Sequence, residues 1–425
     1  MGAFEQAYAE LHAFVDEHAE IRMTPTSLSV PRGVRPAFYG LVERVQRELA
    51  EEVLGEASGC AANVHADSGQ EVSAPGHVAH AGAQQSSLVC RRGALGDSAH
   101  AGAQVCDEDA CDGGVSADPS AGSVAAPRVQ AGLADLVEVA AKCAQVRDGL
   151  CAQAGLAQFR LASMLESLMA DPDAEAVRPL FACVLDALQT GQDARALKTR
   201  AREALVPHVE LLYRNAYEAW AYYGVVSRLA PRRFYAVFTP DMKEVRAVPT
   251  DRVEVARQAT SPTLRLPEAL FETADGRVFA MKSEAAHELD FYGFKNRRRR
   301  DSSSGGSTPD LVTHRVLLLW ELASVGVVGF VADRDKSRVV PPALTVEVLE
   351  PEDMTTPAYV SAFVERINAV RSRRPVQVIA VGDGEFPAGM LDDPTVAPVQ
   401  VRHAAPSCRF DTGMLDAIAG VLKSK

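Results

Sequence analysis

The eight cysteines include no C-x-x-C pair, which removes the usual signature of a structural zinc site or a dithiol redox centre. Cys143, Cys151 and Cys183 fall inside helical patterns, where cysteine packs as a small hydrophobe. No apolar run reaches the roughly 20 residues a bilayer span needs, because the most hydrophobic stretch, Val316 to Ala332, is interrupted by Glu321 and reads as core. The opening residues Met1-Gly2-Ala3-Phe4-Glu5-Gln6 form neither a basic n-region nor an apolar h-region, and Gln6 stands where a myristoylation motif wants Ser or Thr. A reduced, cytoplasmic chain with no membrane association is expected. Net positive charge is missing too. Lys plus Arg is 44 against 56 Asp plus Glu, giving 44 − 56 = −12, which excludes coating nucleic acid by bulk charge and leaves only a local basic patch.

Catalytic signatures are likewise missing. There is no G-x-S-x-G elbow, no G-x-x-x-x-G-K-[ST] loop, no H-E-x-x-H helix and no dinucleotide fingerprint, since Pro387 occupies the third glycine position after Gly382-Asp383-Gly384. A P-D…E-x-K nuclease pattern around Lys282 fails at Ala280. His208, His287, His314 and His403 have no partner identifiable by spacing.

What is present divides the chain. Residues 56–130 contain no Phe, Trp, Tyr, Ile, Met or Lys, while Ala (17), Gly (10) and Ser (9) dominate, so apolar burial cannot offset the entropy of ordering the backbone. This stretch is expected to be a disordered, low-complexity insertion in which Ala79-His80-Ala81-Gly82-Ala83-Gln84 recurs at Ala99–Gln104. Its four cysteines (Cys60, Cys90, Cys106, Cys111) and four histidines (His65, His77, His80, His100) lack the pairing that zinc requires. Around it lies a helical unit, 1–55 and 131–231. Phe4, Tyr8, Leu11 and Phe14 mark one helix, and Phe38, Leu41, Val45, Leu49 and Val53 a second that ends near Leu54. Leu133 to Leu168 gives one helix or two joined at Gly155, and Ala174–Leu188 and Leu205–Leu229 give two more. Tyr213, Tyr217 and Trp220 share a face of the last, which reads as core packing or, if exposed, as a partner anchor.

From Arg232 the period changes, so residues 232–425 are expected to form a mixed α/β domain. Phe234–Thr239 reads as a strand, and Leu270–Met281 reads as a hairpin around Asp275-Gly276. Apolar runs at Val327–Ala332, Leu344–Leu349, Val376–Val381 and Val399–Val401 read as strands. A helical pattern through Tyr359, Phe363, Ile367 and Val370 makes the middle two a βαβ unit with parallel strands.

Two clusters are candidate sites. Asp333 and Asp335 follow one apolar run, and Asp383 and Glu385 another. If those strands are neighbours pointing the same way, the four carboxylates converge beyond the strand ends and can hold Mg²⁺ or Mn²⁺ for hydrolysis of phosphate esters or nucleic acid. Asp and Gly are also simply the residues that turns favour. The second cluster is Lys295, Arg297, Arg298, Arg299 and Arg300, at the edge of a flexible Ser/Gly loop (about 295–308), with Phe291, Tyr292 and Phe294 upstream. Such guanidiniums grip phosphates or an acidic protein partner, although a charge run can also be merely solvated. The reading placed first is a non-enzymatic binding or scaffolding protein. The metal-dependent hydrolase stands second.

Overall fold

Helix ends are written into the sequence with unusual clarity. Asp171 accepts a hydrogen bond from Ala174 N–H (3.0 Å) with Pro172 at the first helical position, and Asp193 accepts one from Ala196 N–H (2.8 Å). These caps open α5 (Pro172–Thr190) and α6 (Ala194–Arg228), numbered in chain order after α1 (Ala3–Glu17), α2 (Arg35–Ala66), α3 (Leu133–Ala154) and α4 (Ser163–Ala170). Gly155 settles the choice left open for 133–168: its φ of +64° stops α3, and the short strand β3 (Gln158–Arg160) separates α3 from α4. The computed structural model describes residues 2–24, 27–66, 132–238, 246–255, 267–285, 315–326, 341–350, 357–381, 396–404 and 409–423.

One expectation is corrected at α2, which runs to Ala66 and not to Leu54. The apolar spacing stops near Leu54, but alanines at 57, 61, 62 and 66 are strong helix formers and sustain the backbone without it. The rest of the insertion lies outside the described residues. Met1–Ala61 and Pro127–Lys425 belong to one compact unit, and Ala62–Ala126 to another.

The strands are β1 (Arg22–Thr24) and β2 (Ser27–Ser29), which pair antiparallel, then β4 (Pro231–Phe238), β5 (Arg246–Thr250), β6 (Arg252–Glu254), β7 (Ala269–Thr273), β8 (Val278–Ala285), β9 (Arg315–Leu322), β10 (Leu344–Leu349), β11 (Val376–Val381) and β12 (Val399–Ala404). Helix α7 (Pro357–Val370) lies between β10 and β11, and α8 (Thr412–Lys423) follows β12. Eight strands form one mixed sheet in the order β12-β11-β10-β9-β8-β7-β4-β5, while β3 pairs with β6 apart from it. The hairpin around Asp275-Gly276 is β7–β8, with Gly276 at φ +81°. The expected βαβ unit is β10–α7–β11, and its strands are parallel with Leu349 opposite Ala380. The run Val327–Ala332 lies outside the described residues.

The helices and one face of the sheet share a single core. Phe4, Leu49, Leu136, Leu212, Phe271, Leu319, Ile379 and Ile418 belong to it, so the change of period at 232 changes the element without ending the packing. α6 is its axis: every residue from Asn215 to Val226 is buried, as expected of a helix apolar on all sides. Tyr213, Tyr217 and Trp220 are therefore core, with Phe410 5.6 Å from Tyr217 and 5.1 Å from Trp220 by ring centroid. On the opposite sheet face, Leu270, Ala280, Leu318 and Trp320 form a second cluster, and α7 contributes Phe363 and Ile367 to a third over Val376 and Val378.

Candidate functional site

Strand direction defines one edge of the sheet. Ala285 at the end of β8 is the register partner of Arg315 at the start of β9, so the chain leaves and re-enters the sheet side by side. β10 runs antiparallel to β9 and ends at Leu349 by that same edge, and the parallel strands β11 and β12 end there as well. In open α/β sheets the region beyond the carboxyl ends of parallel strands is where ligands gather.

Polar side chains lead toward this edge along the face away from α6. Lys282 on β8 faces Leu318, which faces Thr345 on β10, and Glu347 lies two residues nearer the edge, opposite Val316. Lys282, Thr345 and Glu347 are all buried. Two strand spacings of about 4.8 Å put the Lys282 and Thr345 backbones roughly 10 Å apart, with Leu318 between them. Thr345 Oγ1 carries no hydrogen-bond partner among the described residues.

The face toward the helices holds a second polar chain. Ser283 donates to Glu268 Oε2 through its N–H (3.0 Å) and its Oγ (2.9 Å), and the Tyr223 hydroxyl of α6 donates in turn to Ser283 Oγ. Next to it on α6 the Tyr222 hydroxyl accepts the Val348 N–H of β10 (3.3 Å), and Glu218, one turn earlier, is fully buried. These bonds tie α6 to the ends of β8 and β10. Sequence reasoning stopped at the failed nuclease pattern around Lys282 and passed over Glu347. A Thr and a Glu two residues apart within the apolar run of β10 was the available signal, because the two-residue period of a strand places them on one face.

The residues singled out from sequence fall elsewhere. Asp333, Asp335, Asp383 and Glu385 lie outside the described residues, as do Lys295, Arg297, Arg298, Arg299 and Arg300 and the upstream Phe291, Tyr292 and Phe294. Among the described residues no group of three or more His, Cys, Asp or Glu side chains could hold a metal ion. His208 Nε2 lies 3.0 Å from Glu175 O, a contact between α6 and α5 with structural character, and His403 is exposed on β12. His287 and His314 lie outside the described residues. Burial raises the pKa of the Cys151 and Cys183 thiols, which suits packing better than nucleophilic chemistry.

Arg409 fastens the segment before α8 to the helices, donating to Asp135 Oδ1 (3.1 Å) while its carbonyl accepts from the Tyr217 hydroxyl (2.7 Å). No described helix is long and apolar enough to cross a membrane. No family model, curated protein or solved structure matches the chain.

Proposed function

We propose that the chain is a non-enzymatic binding or scaffolding protein that meets a polyanionic or acidic partner through Lys295 and Arg297–Arg300. The observation that carries this reading is the Ala285–Arg315 register pair. The basic run belongs to the chain between those two residues, which leaves and re-enters the sheet at the edge where β10, β11 and β12 end. A rigid sheet packed against α6 then serves as the platform, and guanidinium groups supply the grip.

The hydrolase reading, with Mg²⁺ or Mn²⁺ on Asp333, Asp335, Asp383 and Glu385, draws less support. It needs strands that point the same way before Asp333 and before Asp383. The run Val327–Ala332 that precedes Asp333 lies outside the described residues, and of the two strands only the one before Asp383, β11, is described.

Replacing Arg297, Arg298, Arg299 and Arg300 together by Ala tests the binding reading. The variant is expected to keep the wild-type circular dichroism and to lose a partner that wild-type protein captures at low salt and releases at high salt. An unchanged set of captured partners refutes it. Phosphate release that requires Mg²⁺ or Mn²⁺ and disappears in Asp383→Asn transfers the function to the hydrolase reading.

A further inference from the structure

We propose that the turn joining α7 to β11, Arg371-Ser372-Arg373-Arg374-Pro375, together with Arg402 of β12, is a docking surface for the phosphodiester backbone of a nucleic acid. It stands independently of the basic run at 295–300.

The turn is pinned on several sides. Arg371 N–H donates to Ile367 O (3.2 Å), Arg373 N–H to Pro342 O (2.8 Å), Val376 N–H to Pro398 O (2.9 Å) and Gln377 Nε2 to Pro375 O (2.8 Å). The same Gln377 accepts from Arg402 Nε (3.2 Å), which holds a further guanidinium beside the turn. Arg371 and Arg373 are exposed, and Arg374 and Arg402 are half-buried. A pinned backbone spares an incoming anion the cost of ordering the turn, so only the arginine side chains have to be fixed.

Three of these arginines, Arg371, Arg373 and Arg402, are short of counter-charge. Elsewhere guanidiniums sit against carboxylates, as in Arg147–Glu166, Arg228–Asp416 and Arg409–Asp135. Among the described residues Arg371, Arg373 and Arg402 have no carboxylate at ion-pair distance, in a chain with 56 acidic residues against 44 basic ones. Glu321 feels the positive charge of Arg373, but it already accepts a hydrogen bond from Arg277 Nε at 2.7 Å. The end of α7 accounts for one cation, since a helix C-terminus favours positive charge, and leaves Arg373 and Arg402 unexplained. Ser372 Oγ is turned from solvent with no partner among the described residues, so rotating it toward an anion sacrifices no hydrogen bond.

The surface is an open turn, and this selects the ligand. A small anion on such a surface keeps competing water and is held weakly, whereas a nucleic acid adds the release of condensed counterions at each neutralised phosphate. An acidic peptide lacks that linear charge density.

The test is fluorescence anisotropy of labelled single-stranded and duplex DNA on full-length wild type, R371Q/R373Q and R371K/R373K across 50–300 mM salt. Two lost phosphate contacts should reduce the slope of log K against log salt by about 1.4 on single strands or about 1.8 on duplex. The lysine pair should keep most of the slope, and R371Q/R373Q should keep the wild-type circular dichroism and a single cooperative melt. Absence of wild-type binding at 50 mM salt, or equal slopes in R371Q/R373Q and wild type, overturns the proposal. Displacement of DNA by polyglutamate at equal charge concentration overturns it in favour of an acidic protein. Replacing Arg297–Arg300 by Ala must leave the R371Q/R373Q difference in place, which separates this surface from the first.

Discussion

Phe271 is the middle rung of an aromatic row that crosses three neighbouring strands. It is the register partner of Phe234 on β4 and of Phe279 on β8, with ring centroids 5.7 and 5.5 Å away, and it is fully buried. Truncating a buried Phe to Ala costs about 3–5 kcal/mol, since the surrounding core closes only partly over the void. Two ring contacts, each contributing roughly 0.5–1.5 kcal/mol beyond area, put Phe271→Ala in the upper part of that range. Phe271→Leu keeps most of the volume and loses the rings, so about 1.5 kcal/mol is expected. Urea unfolding followed by circular dichroism and by fluorescence of Trp220, itself buried in the same core, measures both. With a slope near 3 kcal/mol per molar urea, a loss of about 4 kcal/mol lowers the midpoint by about 1.3 M. A Phe234→Leu/Phe271→Leu double-mutant cycle should return about 0.5–1.5 kcal/mol of coupling. Midpoints of the Ala and Leu variants that coincide, or a cycle that is strictly additive, would refute the ring-packing account.

Gly224 permits α8 to approach α6, because a Cβ there would lie 2.6 Å from Leu415 Cδ1. Gly224→Ala sets an overpacking cost of about 1–3 kcal/mol against a helix-propensity gain of about 1 kcal/mol, and Gly224→Val costs more; calorimetry should show Leu415→Ala restoring part of the Gly224→Val loss, and failure of that rescue would sink the close-contact explanation. Tyr8 carries a pKa pushed up to about 12, first by burial and then by the nearby Asp193 carboxylate, while its hydroxyl donates to Gln192 O at 3.0 Å. A raised value means the native state holds the proton more tightly, so this stabilisation is complete below pH 10 and is lost as pH rises through about 12. Melting temperatures between pH 9 and 12 should therefore fall less steeply in Tyr8→Phe than in wild type. Parallel curves would contradict it.

Much of the fold is legible because burial leaves a periodic mark. Phe4, Tyr8 and Leu11 repeat at helical spacing, and these residues are buried on α1. Asp275-Gly276 announced its hairpin through turn chemistry alone. Elements that carry no such mark were missed. β9 reads Arg-Val-Leu-Leu-Leu-Trp-Glu-Leu without alternation, since both of its faces are covered, and a continuous run of this kind fits helix or strand equally. β5 contains Pro249, which weakens any strand signal, and it is tolerated because β5 is the last strand of the sheet. The β1–β2 hairpin has only three residues on each side, too few for a pattern.

The candidate site depends on a property that residue pattern does not encode. Alternation of buried and exposed side chains is unchanged when a strand is reversed, so composition reports which face Glu347 occupies and says nothing about which edge it approaches. Direction comes from the connections. The helical spacing of Phe363, Ile367 and Val370 revealed a crossover, and a crossover between neighbouring strands of one sheet returns the chain to its starting edge, which makes β10 and β11 parallel. Between Leu322 and Leu344 the sequence offers no such helix, and neighbouring strands joined without a crossover helix pair antiparallel, as β9 and β10 do. That reversal sets the end of β9 at the edge opposite the ends of β10, β11 and β12. Of the two acidic pairs, only Asp383 and Glu385 trail a described strand, β11. The basic run is bracketed by two strand ends that are register partners, and that bracketing is the feature on which a binding edge rests.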